Sequence, residues 1–167
     1  MAVILVGFMG AGKTTVGREL ARKMQCTHRD LDDLIVEAAG QSIPEIFAAR
    51  GDAGFRQLEH DTLVKALDDI EILSTGGGTP MQPANFDLLK AKKTPVVLLE
   101  ANADTILKRI GRDANRPLVQ ELGTDGLVAL QQKRDPRYHE LADLVITTDQ
   151  LLPAQIATQI MTWLAQH

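Results

Sequence analysis

The stretch Val3-Ile4-Leu5-Val6-Gly7-Phe8-Met9-Gly10-Ala11-Gly12-Lys13-Thr14 decides the fold. Four consecutive apolar residues suit a strand buried on both faces, and the eight that follow match the phosphate-binding pattern G-x-x-x-x-G-K-[S/T]. Just beyond them Val16, Leu20 and Met24 recur at the spacing of one helical face. Strand, glycine loop and helix, in that order, is the context a phosphate cradle requires. Glycines let backbone N–H groups close around an anion, and the helix N-terminus adds its partial positive charge. Lys13 is placed to reach outer phosphate oxygens, and the Thr14 hydroxyl to ligate magnesium. Gly10, Ala11, Gly12, Lys13, Thr14 and Thr15 are therefore the candidate nucleotide-binding residues. A guanine-nucleotide switch would also carry D-x-x-G and N-K-x-D segments, and the sequence contains neither.

Outward from this stretch, short apolar runs recur at Ile70 to Leu73, Val96 to Leu99 and Leu144 to Ile146, each bounded by turn residues. A further strand is expected near Thr27 to Leu31, despite its polar His28 and Arg29. Phe55, Leu58 and Thr62 share one helical face, and Ile106 and Ile110 mark another crossover. Ser42-Ile43-Pro44-Glu45 reads as a capping box opening a short helix, and Pro153 opens a C-terminal helix carrying Ile156, Ile160 and Trp163. Strands alternating with helices predict an α/β fold of three layers, α/β/α, around a parallel sheet. The stretch from Gly111 to Gly126 has the least periodicity and is expected to be a mobile excursion.

With 167 residues, 44% hydrophobic and 24% charged, the chain fits one globular domain, 1–167, with a sizeable core. Eighteen Lys and Arg against 22 Asp and Glu leave a net charge of −4, so there is no overall positive field for nucleic acid or an anionic membrane surface. An anion must be bound locally. Aromatic residues are only 4%, which argues against a base-stacking surface. Cys26 is the one cysteine, which excludes an internal disulfide and any cysteine-based metal cluster and suits a reducing compartment. The apolar start is too short for a signal core, and nothing approaches the roughly 20 apolar residues of a membrane span. A soluble, cytoplasmic protein is expected. The four histidines, His28, His60, His139 and His167, show no ligand spacing and are expected at the surface.

Residues for a second substrate lie where the loops beside the glycine loop should fall. Asp30-Leu31-Asp32-Asp33 follows the first crossover, and carboxylates there can hold the waters of a magnesium ion and take a proton from an attacking hydroxyl. Thr75-Gly76-Gly77-Gly78 ends a strand with three glycines, which let a ligand approach bare backbone. Arg56, Arg116 and Arg134 are candidates for paired hydrogen bonds to a carboxylate or to phosphate oxygens. Arg56 with Glu59 also fits an exposed i,i+3 ion pair.

Read together, these segments resemble the shikimate kinase family along nearly the whole chain. The resemblance is carried by GFMGAGKTTVGRELA at the start, D-L-D at 30 to 32, G-Q-S-I-P-E-I-F from 40 to 47, G-F-R-x-x-E from 54 to 59, TGGG at 75 to 78, R-P-L at 116 to 118 and R-D-P-R-Y from 134 to 138. It implies a nucleoside-monophosphate-kinase type of P-loop fold with about five parallel strands and a lid near 111–126. It also implies transfer of the terminal phosphate of ATP to the 3-hydroxyl of shikimate, with Mg2+ as cofactor, by a monomer.

By the same resemblance Asp32 holds the substrate hydroxyls and serves as base, while Asp30 supports magnesium through water beside Thr14. Arg56 and Arg134 bind the substrate carboxylate, Gly77 and Gly78 face the ring, and about 32–60 forms the shikimate-binding region. Arg116 reaches from the lid toward the transferring phosphate, so that Lys13, Asp32 and Arg116 form the catalytic set. Arg109 and Pro153 flank adenine. The chain departs from the family at His28-Arg29, where an aromatic residue is frequent, and at Arg137, where the residue before the tyrosine is commonly apolar. The second departure leaves Arg134 and Arg137 as alternatives for the carboxylate. Two rival functions remain: a gluconate-type kinase, against which the G-F-R, TGGG and R-P-L segments argue, and a nucleotide-binding regulator without turnover, against which intact Lys13, Asp32 and Arg116 argue.

Overall fold

A computed structural model of the chain describes residues 1–111 and 117–167, with the side chains of 117 and 119 left aside. The described residues form strands β1 (Val3–Val6), β2 (His28–Asp30), β3 (Ile72–Ser74), β4 (Val96–Glu100) and β5 (Leu144–Thr147). The helices are α1 (Lys13–Met24), α2 (Leu31–Ala39), α3 (Ile43–Ala66), α4 (Pro83–Ala91), α5 (Ala103–Ile110), α6 (Pro117–Leu141) and α7 (Pro153–Gln166), and a 3-10 turn spans Thr79–Met81. All strand pairs are parallel, in the order β2-β3-β1-β4-β5, with β1 central: Ile4 stands opposite Leu73 on one side and Val96 on the other.

Alternation along the buried strands divides the core in two, because successive side chains leave opposite faces of a strand. Ile4, Val6, Leu73, Val96 and Leu98 join Ile35, Ile46, Leu63, Phe86, Ile106 and Tyr138 on one face. Val3, Leu5, Ile72, Val97 and Leu99 meet Val16 and Leu20 of α1 and Ile156, Ile160 and Leu164 of α7 on the other. The expected three layers with about five strands are thus observed. The chain leaves β1 toward the α1 face and leaves β3 toward the face of α4, which opens a crevice at the carboxyl ends of these neighbouring strands. Gly7 sits at that exit with φ of 146°, and a Cβ there would overlap the Leu99 carbonyl oxygen.

The elements differ from the sequence reading in a few places. The second strand is only His28–Asp30, at the sheet edge, and the third runs Ile72–Ser74 because Ile70 packs beside the core before the ladder begins. Helix α4 has no counterpart in that reading. The stretch expected to be irregular is helical from Pro117 onward, broken at Gly123 with φ of 63°, while 112–116 lie outside the described residues. α3 has a similar break at Gly51, with φ of 67°, so the short helix opened by the Ser42–Glu45 capping box ends there and a second begins. On α7 Leu164 takes the core position, and Trp163 lies half-buried, stacked on His167. His28 and His60 are not simple surface residues: both are half-buried and hydrogen-bonded, to Ser74 at 2.8 Å and Asn85 at 2.7 Å.

Candidate active site

The glycine loop turns through left-handed conformations at Gly10 and Gly12, with φ of 77° and 97°. Gly12 starts α1, no side chain of the described residues caps that helix, and its first turn contains no acid. The N-terminal N–H groups and the helix dipole are therefore directed at the loop's own cavity, a site that favours an anion. Lys13 is buried and donates to the carbonyl oxygens of Gly7 at 2.7 Å and Phe8 at 3.0 Å, so its ammonium is folded over the loop.

β2 delivers the acidic residues. Asp30 ends the strand and caps α2, its Oδ1 accepting from the Asp32 N–H at 3.0 Å, while Oδ2 accepts from the Thr14 hydroxyl at 2.7 Å. One carboxylate thereby joins the P-loop helix to the start of α2. Asp32, one residue into that helix, reaches solvent at the cleft, yet protein atoms crowd its carboxyl. That crowding and the charges of Asp30, Glu59 and Asp33 push its pKa up to about 6, while the Lys13 ammonium opposes them. A carboxylate so raised is matched to accepting a proton near neutral pH.

The third wall follows β3. A Cβ on Gly76 would lie 3.3 Å from Asp32 Oδ1, and one on Gly77 would lie 3.3 Å from Arg134 Nη1. At Gly78 two guanidiniums converge: a Cβ would stand 2.9 Å from Arg56 Nη2 and 3.4 Å from Arg134 Nη2. The bare backbone leaves room for these cations and for whatever they bind. Arg134 lies with its guanidinium carbon 5.7 Å from the Phe8 ring centroid, which ties it to the glycine loop. Arg137 instead lies over Phe86, at 4.7 Å. Of the two alternatives for the carboxylate, Arg134 is the one beside the glycines.

Arg56 is not an exposed helix-surface residue. Its Nη1 donates to Glu59 Oε1 at 2.8 Å, and the Glu59 side chain is only 2% exposed. Buried Arg56 Nε has no hydrogen-bond partner among the described residues. A charged donor left in this state points to an acceptor supplied by a ligand. Phe55 stacks on Phe47 with centroids 4.4 Å apart and lies 5.2 Å from the Arg56 guanidinium carbon, giving the cleft an apolar flank.

On the nucleotide side, Arg109 donates from Nη1 to the Gly10 carbonyl oxygen at 3.0 Å and to Thr148 Oγ1 at 3.3 Å. It is thus exposed but tied across the loop. Thr148 is fully buried, and its hydroxyl also faces the carbonyls of Ala11 and Glu100. Pro153 opens α7 a few residues further on. Arg116 lies outside the described residues. The sequence reading missed Tyr138, whose hydroxyl donates to the Gly77 carbonyl oxygen at 2.5 Å and is pushed up to about 12 by burial, and so stays protonated. It also missed Thr79 and Asn85, which hold Glu59. Tyr138 stands within R-D-P-R-Y, so its segment was visible although its partner was not.

Comparison with known proteins agrees with this geometry. The family model described as shikimate kinase matches residues 9–165. A curated shikimate kinase of Limosilactobacillus fermentum is 44% identical over 100% of this chain and 97% of its own length. One of Xanthomonas oryzae pv. oryzae is 45% identical over 98% and 91%. Among solved structures, shikimate kinase from Acinetobacter baumannii in complex with shikimate superposes with a TM-score of 0.91 at 38% identity, covering 99% of this chain and 93% of that one.

Proposed function

The chain belongs to the shikimate kinase family, and from that membership we infer that it transfers the terminal phosphate of ATP to the 3-hydroxyl of shikimate, giving shikimate 3-phosphate and ADP. The observation that carries this reading is the convergence of Arg56 and Arg134 on Gly78, with Asp32 beside Gly76 and the P-loop lysine within the same electrostatic neighbourhood. Two guanidiniums suit a carboxylate and an adjacent carboxylate suits hydroxyls, so the cleft is complementary to a hydroxylated acid.

Residues 1–167 act as one P-loop kinase domain, with Gly10 to Thr15 around the phosphates, Arg109 and Pro153 beside adenine, and about 32–60 on the shikimate side. Arg56 and Arg134 take the substrate carboxylate, Arg56 through Nη2 and the otherwise unpartnered Nε. Gly77 and Gly78 admit the ring. Asp32 orients the attacking hydroxyl and accepts its proton as the O–P bond forms. Lys13 stabilises charge on the outer phosphate oxygens.

Thr14 and Asp30 are the residues that would hold Mg2+. They offer adjacent hard oxygen donors, one hydroxyl and one carboxylate, 2.7 Å apart. That sparse set fits magnesium, which takes most of its ligands from water and substrate phosphates. When bound, the ion supplies charge neutralisation on the phosphates. The enzyme works as a monomer, both substrate walls coming from one chain. A cytoplasmic place is in keeping with its single cysteine, which suits a reducing compartment; among the described residues no helix is long and apolar enough to cross a membrane. Phosphorus NMR of the product made from ATP and shikimate tests the reading: one phosphomonoester at the 3-oxygen supports it, and phosphorylation elsewhere on the ring contradicts it.

A further inference from the structure

Glu59 is buried, and each of its carboxylate oxygens is partnered. Oε1 accepts from Arg56 Nη1 at 2.8 Å and Asn85 Nδ2 at 3.4 Å, and Oε2 accepts from the Thr79 hydroxyl at 2.9 Å. Asn85, on α4, is fully buried. Its amide nitrogen faces two acceptors, Glu59 and the Thr79 carbonyl oxygen at 3.1 Å, so the amide's orientation is fixed by the network. Its oxygen then requires a donor, which is His60 Nδ1 at 2.7 Å, protonated on that nitrogen. Thr79 directly follows Gly78, and its N–H bonds back to the Gly76 carbonyl oxygen at 3.1 Å.

We propose that Asn85, together with the Thr79 hydroxyl, is a positioning residue for shikimate: it locks Glu59 so that Arg56 presents Nη2 and Nε to the substrate carboxylate over Gly78. The inference rests on the reading above that Arg56 binds that carboxylate. The physical reason is rotamer freedom. An arginine side chain holds one direction only when its own partner is fixed, and a buried carboxylate keeps one rotamer only when its remaining lone pairs are satisfied. Asn85 and Thr79 satisfy them from the segment that forms the opposite wall, so α3 and the glycine triplet are set at one spacing. Neither residue touches substrate; both act through Glu59 and Arg56.

A double-mutant cycle in steady-state kinetics tests this. Asn85→Ala is expected to raise KM for shikimate by about threefold to tenfold, the range for one net hydrogen bond, with KM for ATP within about twofold. On an Arg56→Lys background the same substitution is expected to add less than about twofold, because its effect passes through the fork already lost. Thr79→Val, which keeps shape and removes the hydroxyl, is expected to show the same KM split should Asn85→Ala fail to fold, with Thr79→Ser restoring the wild-type value. Independent, additive effects, equal rises in both KM values, or no recovery with Thr79→Ser would overturn the proposal. If Arg56→Lys alone leaves shikimate KM unchanged, the carboxylate assignment itself fails. If Arg56→Lys raises it while Asn85→Ala and Thr79→Val do not, only the positioning role fails.

Discussion

Replacing Arg56 by lysine separates a carboxylate clamp from a structural ion pair. The guanidinium divides its donors: Nη1 is committed to Glu59 at 2.8 Å, Nη2 faces the space over Gly78, and buried Nε has no partner among the described residues. An ammonium has three donors on one atom but no planar fork to span the positions of Nη1, Nη2 and Nε, and buried Glu59 retains the first claim, since leaving that carboxylate unpaired is costly. Arg56→Lys therefore keeps the charge and loses the fork toward the substrate. Loss of one hydrogen bond to a charged group costs about 1.5–3 kcal/mol, or roughly ten- to a hundredfold in kcat/KM. The loss falls on shikimate, so its KM rises while KM for ATP stays within about twofold. Purified variant, both substrates varied in turn, and circular dichroism to verify folding make the assay. An unchanged shikimate KM in a folded variant would refute the reasoning and leave Arg134 as the carboxylate ligand.

Lys13→Ala is expected to reduce kcat by at least about a hundredfold with an unchanged circular dichroism spectrum, because the ammonium serves phosphate oxygens; activity within tenfold of wild type would remove the lysine from catalysis. Asp32 must be ionised to accept a proton and its pKa is raised to about 6, so kcat/KM for shikimate should fall as pH drops through that value. Asp32→Asn should abolish this limb along with most turnover. It should melt no lower than wild type at pH 8, since a raised carboxylate pKa means that the folded state disfavours the ionised form there. Gly7→Ala must bring a Cβ against the Leu99 carbonyl oxygen at a left-handed φ. The expected cost on the order of 2–4 kcal/mol would lower the midpoint of thermal unfolding by roughly 5–15 °C.

The central sheet was legible because a buried parallel strand is a short apolar run, and Val3–Val6 and Val96–Glu100 are nearly pure examples. β2 was faint for the converse reason: it lies at the sheet edge with partly exposed His28, Arg29 and Asp30. Helix α4 escaped notice although Pro83 opens it and Phe86 and Leu89 face the core, because only nine residues carry the pattern. The low periodicity of the stretch from 117 to 126 has a local cause, for Gly123 breaks α6 without ending it. In the site, Thr14 bonds Asp30, Asp30 bonds the Asp32 N–H, and Gly76 to Gly78 stand beside Asp32, Arg56 and Arg134. What sequence could not settle was environment. Arg56 and Glu59 have the spacing of an exposed pair, and only packing shows the carboxylate buried and the guanidinium aimed at Gly78. Arg134 and Arg137 lie one helical turn apart, and only packing distinguishes them: Arg137 lies over Phe86, while Arg134 stands beside Gly77 and Gly78.

The measurement that tests the account most directly is coupled detection of ADP release from ATP and Mg2+ with shikimate, gluconate or no acceptor. The three-sided cleft of Asp32, Arg56 and Arg134 predicts rapid, saturable turnover with shikimate, at least about tenfold above gluconate, whose carboxylate can meet the same arginines but whose open chain must be ordered to bring a hydroxyl to Asp32, and negligible ADP release without an acceptor. Equal rates with gluconate, or no acceptor-dependent release from folded protein, would contradict it.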